Sequence, residues 1–530
     1  MPLTSSEITA RIQQLVPPGA AEPQDTELLK ELQALTQALI AAYQTSGRLQ
    51  AEPFNEAWTR PLYLYESEVR GLLQDRSVLV TGGEGFVGSR LIKKLVDLGA
   101  KQIISVDNAR CSQAARLSSI RGQAPNVTLY TADVRDQEAL RHIFATEKPA
   151  LVFHLAAIRL PSLAEKIVLE TVTSNIFGTQ NIIQMCEEFG VKQCVFSSTG
   201  KSSRYWTAEV YAATKKVNEW LFAQAAQTGS VKYSMVRFTH MLNNSSMYEQ
   251  ISQKVESGRP VNVHAPERYV VGQNVDEAVH LLLNSLIFSE PKHLKFILVR
   301  NLGWPTETLE VALYKILQSG KNLPIYFQGI PPGYEEPFFL GQVDWDKQTE
   351  INTLVNALET ANCSTISQSG DMIVSEMIPF SAFVLNQQLA QLKLLCHDSA
   401  ISPCEIKKQL GQLVRAVAQT CFLNAAPERV LKILKWGTNL KLYQRGEFCL
   451  TPYQPYLELA VQSLYERLDL RILEACKIPV QEFEQLLAAL ATFPSMQTEV
   501  SKMRALTLGV PELSQSQETA SSGRGRLTSS

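Results

Sequence analysis

Ser77-Val78-Leu79-Val80 is a short apolar run that leads directly into Thr81-Gly82-Gly83-Glu84-Gly85-Phe86-Val87-Gly88. The residues that follow place Phe86, Val87, Leu91, Ile92, Leu95 and Leu98 on one face of a helix. A strand that turns straight into a helix needs glycine where the backbone bends hardest. Gly82 permits the tight turn, Gly85 lets a pyrophosphate approach the backbone, and Gly88 lets the helix pack on the strand. The helix opens at Phe86 and Val87, so its first N–H groups and the positive end of its dipole face any phosphate in the loop. A nucleotide is the expected occupant of Gly82, Gly85, Phe86, Val87 and Gly88.

The same texture continues downstream. Gln102–Val106, Val127–Tyr130, Ala150–Phe153, Gln193–Phe196 and Tyr233–Val236 are apolar runs separated by amphipathic stretches, the pattern of a parallel sheet covered on both faces. The expected fold class is α/β: a Rossmann-type doubly wound parallel sheet, a smaller substrate-capping region, and added helical segments at both termini. Residues 1–69 read as a helical extension or oligomerisation arm, with Leu28, Leu29, Leu32, Leu35, Leu39 and Ile40 at helical spacing. Residues 70–240 read as the NAD(P)-binding domain, 241–345 as the substrate-binding region and 346–511 as mainly helical. The Ser-, Gly- and Gln-rich stretch 512–530 reads as a disordered tail.

The second strand ends at Asp107, nineteen positions past Gly88, where a carboxylate can accept hydrogen bonds from an adenosine ribose. That favours NAD. Arg110, three residues on, keeps NADP open, because a guanidinium there can neutralise a 2′-phosphate.

Net composition narrows the partners. Lys and Arg total 50 against 52 Asp and Glu, a formal charge of -2, so no global field draws in nucleic acid or anionic lipid. Nowhere do about 18 apolar residues run uninterrupted, and Met1 to Glu7 shows no basic-then-apolar leader. The expectation is a cytoplasmic chain with no membrane span and no nucleic-acid partner. Nine scattered cysteines without a Cys-x-x-Cys pair suggest neither a disulfide framework nor a metal site.

Chemistry enters after the strand ending at Phe196. Ser197-Ser198-Thr199-Gly200-Lys201 is followed, ten residues past Lys201, by Tyr211-Ala212-Ala213-Thr214-Lys215. A Tyr and a Lys four apart share one helix face. The ammonium can then depress the phenol from about 10 toward neutrality, so that the phenolate takes a proton from a substrate alcohol as hydride leaves for nicotinamide. Thr199 or Ser198 would hold the same substrate oxygen. His154, at a strand end, reads as orienting the loop beneath the cofactor. Cys396, His397 and Cys404 read as residues without metal-ligand spacing.

Thr81 to Gly88, Asp133-Val134-Arg135-Asp136, His154-Leu155-Ala156-Ala157, Asn175-Ile176-Phe177-Gly178-Thr179-Gln180-Asn181 and Tyr211 to Lys215 together resemble an extended short-chain dehydrogenase/reductase. Within it the chain is similar to the CapD-like polysaccharide-biosynthesis group of nucleotide-sugar 4,6-dehydratases and epimerases, over roughly residues 62 to 340. The resemblance implies that Asp133 and Val134 flank the adenine and that Ala156, Ala157 and Asn175 line the nicotinamide side. It also implies that Thr199, Tyr211 and Lys215 form the hydride-transfer triad, that Lys201 is an additional acid/base, and that Arg268 faces the nucleotide diphosphate.

The departures from the family pattern fall on the sugar side. Dehydratases of the group carry Asp where this chain has Gly200, and glycine cannot protonate a leaving hydroxyl. Arg159-Leu160 stands in place of a Lys-His pair, and His240, assigned to the substrate, replaces an Asn. The expected function is transient hydride abstraction from a nucleotide-activated sugar or related hydroxyl/keto substrate, epimerase- or dehydratase-like, with NAD or NADP and in a homo-oligomer. Two other readings stand beside it: a non-catalytic nucleotide-binding scaffold, and a simple NAD(P)H-dependent carbonyl reductase on a non-sugar substrate.

Overall fold

Runs such as Val78-Leu79-Val80 and Val152-Phe153 can be buried on both faces only if helices cover both sides of the sheet they form. The computed structural model describes residues 3–108, 125–347 and 351–505. Arg110 and the stretch 512–530 lie outside these residues. A nine-stranded sheet forms the centre of the chain. Its strands are β1 (Ser77–Thr81), β2 (Gln102–Asp107), β3 (Val127–Thr131), β4 (Leu151–His154), β5 (Gln193–Thr199), β6 (Lys232–Phe238), β7 (Lys295–Val299), β8 (Thr365–Ile366) and β9 (Met372–Glu376).

Their spatial order is β8-β9-β7-β6-β5-β4-β1-β2-β3. Every pair from β3 to β7 is parallel, and β9 and β8 add an antiparallel edge. The fold is therefore α/β with a doubly wound, mostly parallel sheet. Leu79, Val152 and Phe196 pack on one face with Leu140, Phe144, Ile182 and Phe222. Val78, Val80, Phe153 and Val195 pack on the other with Leu91, Ile92, Leu95 and Leu282. Strand order reverses between β1 and β4, whose registers pair Thr81 with His154. The carboxyl ends of the strands on either side of such a reversal border a crevice where ligands bind. Thr81, Asp107, His154 and Thr199 all sit at that edge.

Three departures from the simple pattern matter for the site. First, the N-terminal helices Ser5–Leu15 and Thr26–Thr45 spend their apolar faces within their own chain. Ile8, Ile12, Leu32 and Leu39 share a core with Val261, Val263, Leu313, Ile325 and Phe327 of the 241–345 region. Gly19 N–H donates to Gln328 O at 2.8 Å, and Arg48 pairs with Glu307 and Glu310 at 2.6 and 2.8 Å. Second, the 346–511 stretch supplies β8 and β9, between the short helix Ala357–Cys363 and the long helices that follow, and β9 pairs residue by residue with β7. Third, the antiparallel helices Ala382–His397 and Pro403–Asn424 lie over the helix Val210–Thr228. Leu385, Leu389, Leu410, Leu413 and Val417 close over Val210, Ala213, Val217 and Trp220. Helix Val210–Thr228 is consequently buried almost all round.

The chain divides into two compact units at Ala425/Ala426. The second is helical, with Val430, Leu434, Leu457, Val461, Phe483 and Leu487 buried in its helices. Among the described residues no helix is long and apolar enough to cross a membrane, and no cluster of ligating side chains could hold a metal ion.

Candidate active site

The glycine loop is built as its residues demand. Gly82 takes φ +70°, a left-handed conformation that favours glycine, and a Cβ there would lie 2.8 Å from Ala156 N. A Cβ on Gly88 would overlap the Gly82 carbonyl oxygen. Gly85 caps the helix Phe86–Asp97 with no side chain of its own. The turn is thus lined by backbone, which is what close approach of a pyrophosphate requires. Asp107 sits beside it and accepts a hydrogen bond from Glu84 N–H at 3.1 Å.

A chain of hydroxyls and one imidazole fixes the loop's floor. His154 is buried; its Nδ1 lies 2.7 Å from Thr81 Oγ1 and its Nε2 2.9 Å from Thr179 Oγ1. Thr179 donates its own proton to Asn175 O at 2.6 Å, so it accepts from His154 Nε2–H, and the proton of Thr81 goes to Nδ1. Burial holds His154 down to about 3, a neutral imidazole. It therefore ties β1 to the helix Gly178–Glu188 as an uncharged ring.

Asn175 lies in a π-turn, Thr173–Phe177, and is fully buried. Its amide accepts from Ile158 N–H at 2.8 Å and donates to Thr214 Oγ1 at 3.0 Å. It thereby pins the Ala156-Ala157 loop against the helix that carries Tyr211. Val134 packs on Gly178, where a Cβ would lie 2.6 Å from Val134 Cγ2. Asp133 is clasped by Arg135 at 2.7 Å.

Tyr211 and Lys215 occupy the first turns of helix Val210–Thr228. Tyr211 lies near enough to Thr199 at the end of β5 for that hydroxyl to favour the ionised phenol, while Ser198 turns the other way and donates to Glu219 at 2.6 Å. The two hydroxyls that sequence alone could not separate are thus told apart. Lys215 donates to Ser197 O at 2.8 Å and lies 4.6 Å from the Phe196 ring centre. The ionisation state differs from the sequence expectation. Burial pushes the Tyr211 phenol up to about 12 and the Lys215 ammonium down to about 7. Both groups have lost water, and the protein alone supplies too little countercharge for the ammonium to outweigh that loss.

Residues 78–357, just over half the chain, match the family described as polysaccharide biosynthesis protein. The chain belongs to that family. Its relatives include the probable polysaccharide biosynthesis protein EpsC of Bacillus subtilis, 28% identical over 52% of this chain and 47% of the relative. The capsular polysaccharide biosynthesis protein CapD of Staphylococcus aureus is 27% identical over 54% and 51%. A UDP-glucose 4-epimerase of Yersinia pestis is 31% identical over 34% and 49%. The chain spans about half the length of each of these three relatives. This is the CapD-like group of extended short-chain dehydrogenases/reductases to which the motifs pointed.

The residues that the resemblance assigned to the substrate are arranged less simply. Lys201 is tied to the buried Glu209 at 2.5 Å and to Gly333 O at 2.7 Å, with its Nζ 4.6 Å from the Tyr334 ring centre. Arg204 shares Glu209 at 3.0 Å and reaches Glu336 at 2.6 Å. Sequence reasoning gave Glu336 no role and passed over Glu209 and Arg204. Glu209 stands two residues before Tyr211, and asking what precedes the Tyr-Lys helix would have singled it out; nothing local marks Glu336. His240 is hydrogen-bonded to Ser245 at 2.6 Å and held down to about 4 by burial. The Arg268 guanidinium has no hydrogen-bond or ion-pair partner among the described residues. Burial, and after it the Arg268 charge, disfavours the charged form of His264, and the His264 ring is 6.2 Å from that of Tyr334.

Proposed function

We propose that the chain is an NAD(P)-dependent enzyme of the extended short-chain dehydrogenase/reductase type. It oxidises one carbinol of a nucleotide-activated sugar transiently and returns the hydride, so that its net reaction is epimerisation. The observation that carries this reading is the placement of Tyr211 beside Thr199, whose hydroxyl favours the ionised phenol, with Lys215 one helical turn on, at the same sheet edge as the glycine turn.

The residues present fit a dinucleotide. Gly82, Gly85 and Gly88 leave a backbone-lined cradle that a Cβ at Gly82 or Gly88 would obstruct; Phe86 and Val87 open an uncapped helix; and Asp107 stands at the adjoining strand end. NAD would supply a hydride acceptor whose oxidised ring carries positive charge. A positive charge near Tyr211 would favour its ionised form, against the burial that pushes the phenol up to about 12. Tyr211 then takes the proton of the substrate hydroxyl, and Thr199 holds the oxygen as it becomes a carbonyl. On hydride return Tyr211 gives the proton back. Lys215 keeps the Ser197 carbonyl and the start of the helix in register. Arg268, without a hydrogen-bond or ion-pair partner among the described residues, suits the nucleotide diphosphate.

Epimerisation is preferred to loss of water because of residue 200. A Cβ on Gly200 would overlap Leu354 Cδ2, so the place of the family's acid is filled by an alkyl group and no carboxyl stands at residue 200 to protonate a leaving hydroxyl. The test is incubation of the purified chain with UDP-glucose or UDP-N-acetylglucosamine, followed by NMR. The C4 epimer without net cofactor reduction is expected; a 4-keto-6-deoxy product, or steady cofactor consumption, overturns the reading.

A further inference from the structure

The charges around Lys201 form a closed set. Glu209, which directly precedes the Tyr211 helix, is almost fully buried, yet its carboxylate receives both the Lys201 ammonium and the Arg204 guanidinium. Its other oxygen accepts from Glu336 N–H at 3.3 Å, and Glu336 in turn accepts from Arg204 and from Ala208 N–H at 2.6 Å. The segment 331–336 is thereby fastened to the start of the catalytic helix. Gly333 gives its carbonyl to Lys201, and Tyr334 lies under the ammonium. The groups facing Lys201 are therefore Glu209, Arg204, Glu336 and Tyr334.

An ammonium has three N–H donors. Two are accounted for by Glu209 and Gly333, which leaves one. An amine removed from water tends to lose its proton, and burial does lower Lys201; Glu209 is the largest influence acting the other way, with Arg204 opposing it. We infer that Glu209 is a positioning residue: it keeps Lys201 as a charged ammonium in one orientation, so that Lys201 serves the site as a proton donor and not as a free-amine base. The inference rests on the active-site reading above for its meaning, but the state of Lys201 can be measured without turnover.

The experiment is competitive acetylation of the ligand-free full chain by acetic anhydride from pH 6 to 11, with the Lys201 peptide quantified by mass spectrometry. Glu209→Gln is expected to lower the Lys201 midpoint by about one unit or more, a tenfold rise in reactivity at fixed pH. Glu209→Asp restores most of it. Arg204→Gln moves the midpoint the opposite way, because it removes a competing cation while leaving Glu209 in place; this variant decides the matter if Glu209→Gln fails to fold. A folded Glu209→Gln protein with an unchanged midpoint, or a fall in Arg204→Gln, overturns the assignment. Absence of epimerase activity in the wild type would sink the proposed function and leave this result standing.

Discussion

Leu354 fills the space in which a side chain at Gly200 would begin: a Cβ built on residue 200 overlaps Leu354 Cδ2, and Leu354 itself is 4% exposed. The pair links a sequence departure to its physical counterpart, because the acid is absent at 200 and the room for it is absent too. Gly200→Asp is expected to destabilise the fold by about 1–3 kcal/mol through overpacking, and to add no dehydration. Gly200→Asp with Leu354→Ala relieves the clash. Urea denaturation of both variants checks the stabilities, and a stable single variant that dehydrates a UDP-sugar contradicts the account.

His154 predicts an acid-side loss of stability. Its ordinary value near 6.5 falls to about 3 in the fold, so the unfolded chain binds the proton more readily. The stability His154 contributes is complete above pH 6.5 and is lost as pH falls toward 3, with a slope of up to about 1.4 kcal/mol per pH unit. His240, held down to about 4, adds to the same limb below pH 6.5. His154→Gln can keep the bridge between Thr81 and Thr179 without the titration. Its unfolding free energy between pH 7 and pH 5 should change less than that of the wild type; an equal change contradicts the buried neutral imidazole.

The extent to which sequence revealed this molecule follows from the range of each interaction. Strands β1 to β6 were legible because each is a contiguous apolar run, and the glycine turn because steric demand is local. The Tyr211–Lys215 pair was legible because four residues make one helical turn. What was hidden depends on distant partners: Glu336 reaches Glu209 across 127 residues, and β9 pairs with β7 only after the intervening chain has folded back. The hairpin Ala382–Asn424 reads as an ordinary helical pattern, and only packing shows that it encloses the Tyr211 helix. Ionisation was misjudged for the same reason: spacing brings Lys215 near the phenol, but burial, which no spacing reports, moves both groups the other way.

Lys215 gives a prediction in which stability and activity separate. Its folded value of about 7 lies well below the ordinary 10.5, so folding carries the cost of a desolvated charge at pH 6, and that cost fades as pH rises from 7 toward 10.5. Lys215→Met is expected to stabilise the ligand-free chain by about 1–3 kcal/mol at pH 6, with a smaller gain at pH 9, and to abolish epimerisation. Thermal unfolding at the two pH values measures this. A variant less stable than wild type at pH 6 shows instead that the bond to Ser197 outweighs desolvation.

The central claim is that Tyr211 exchanges a proton with substrate beside a bound dinucleotide. It is tested most directly by comparing wild type with Tyr211→Phe in two readouts on the same preparations: mass spectrometry of released nucleotides and NMR of UDP-sugar epimerisation. Both proteins should release NAD or NADP in equal amount, and the variant should lose about 10²–10⁴ in rate. Equal rates in the two proteins, or no dinucleotide released from either, would contradict the account.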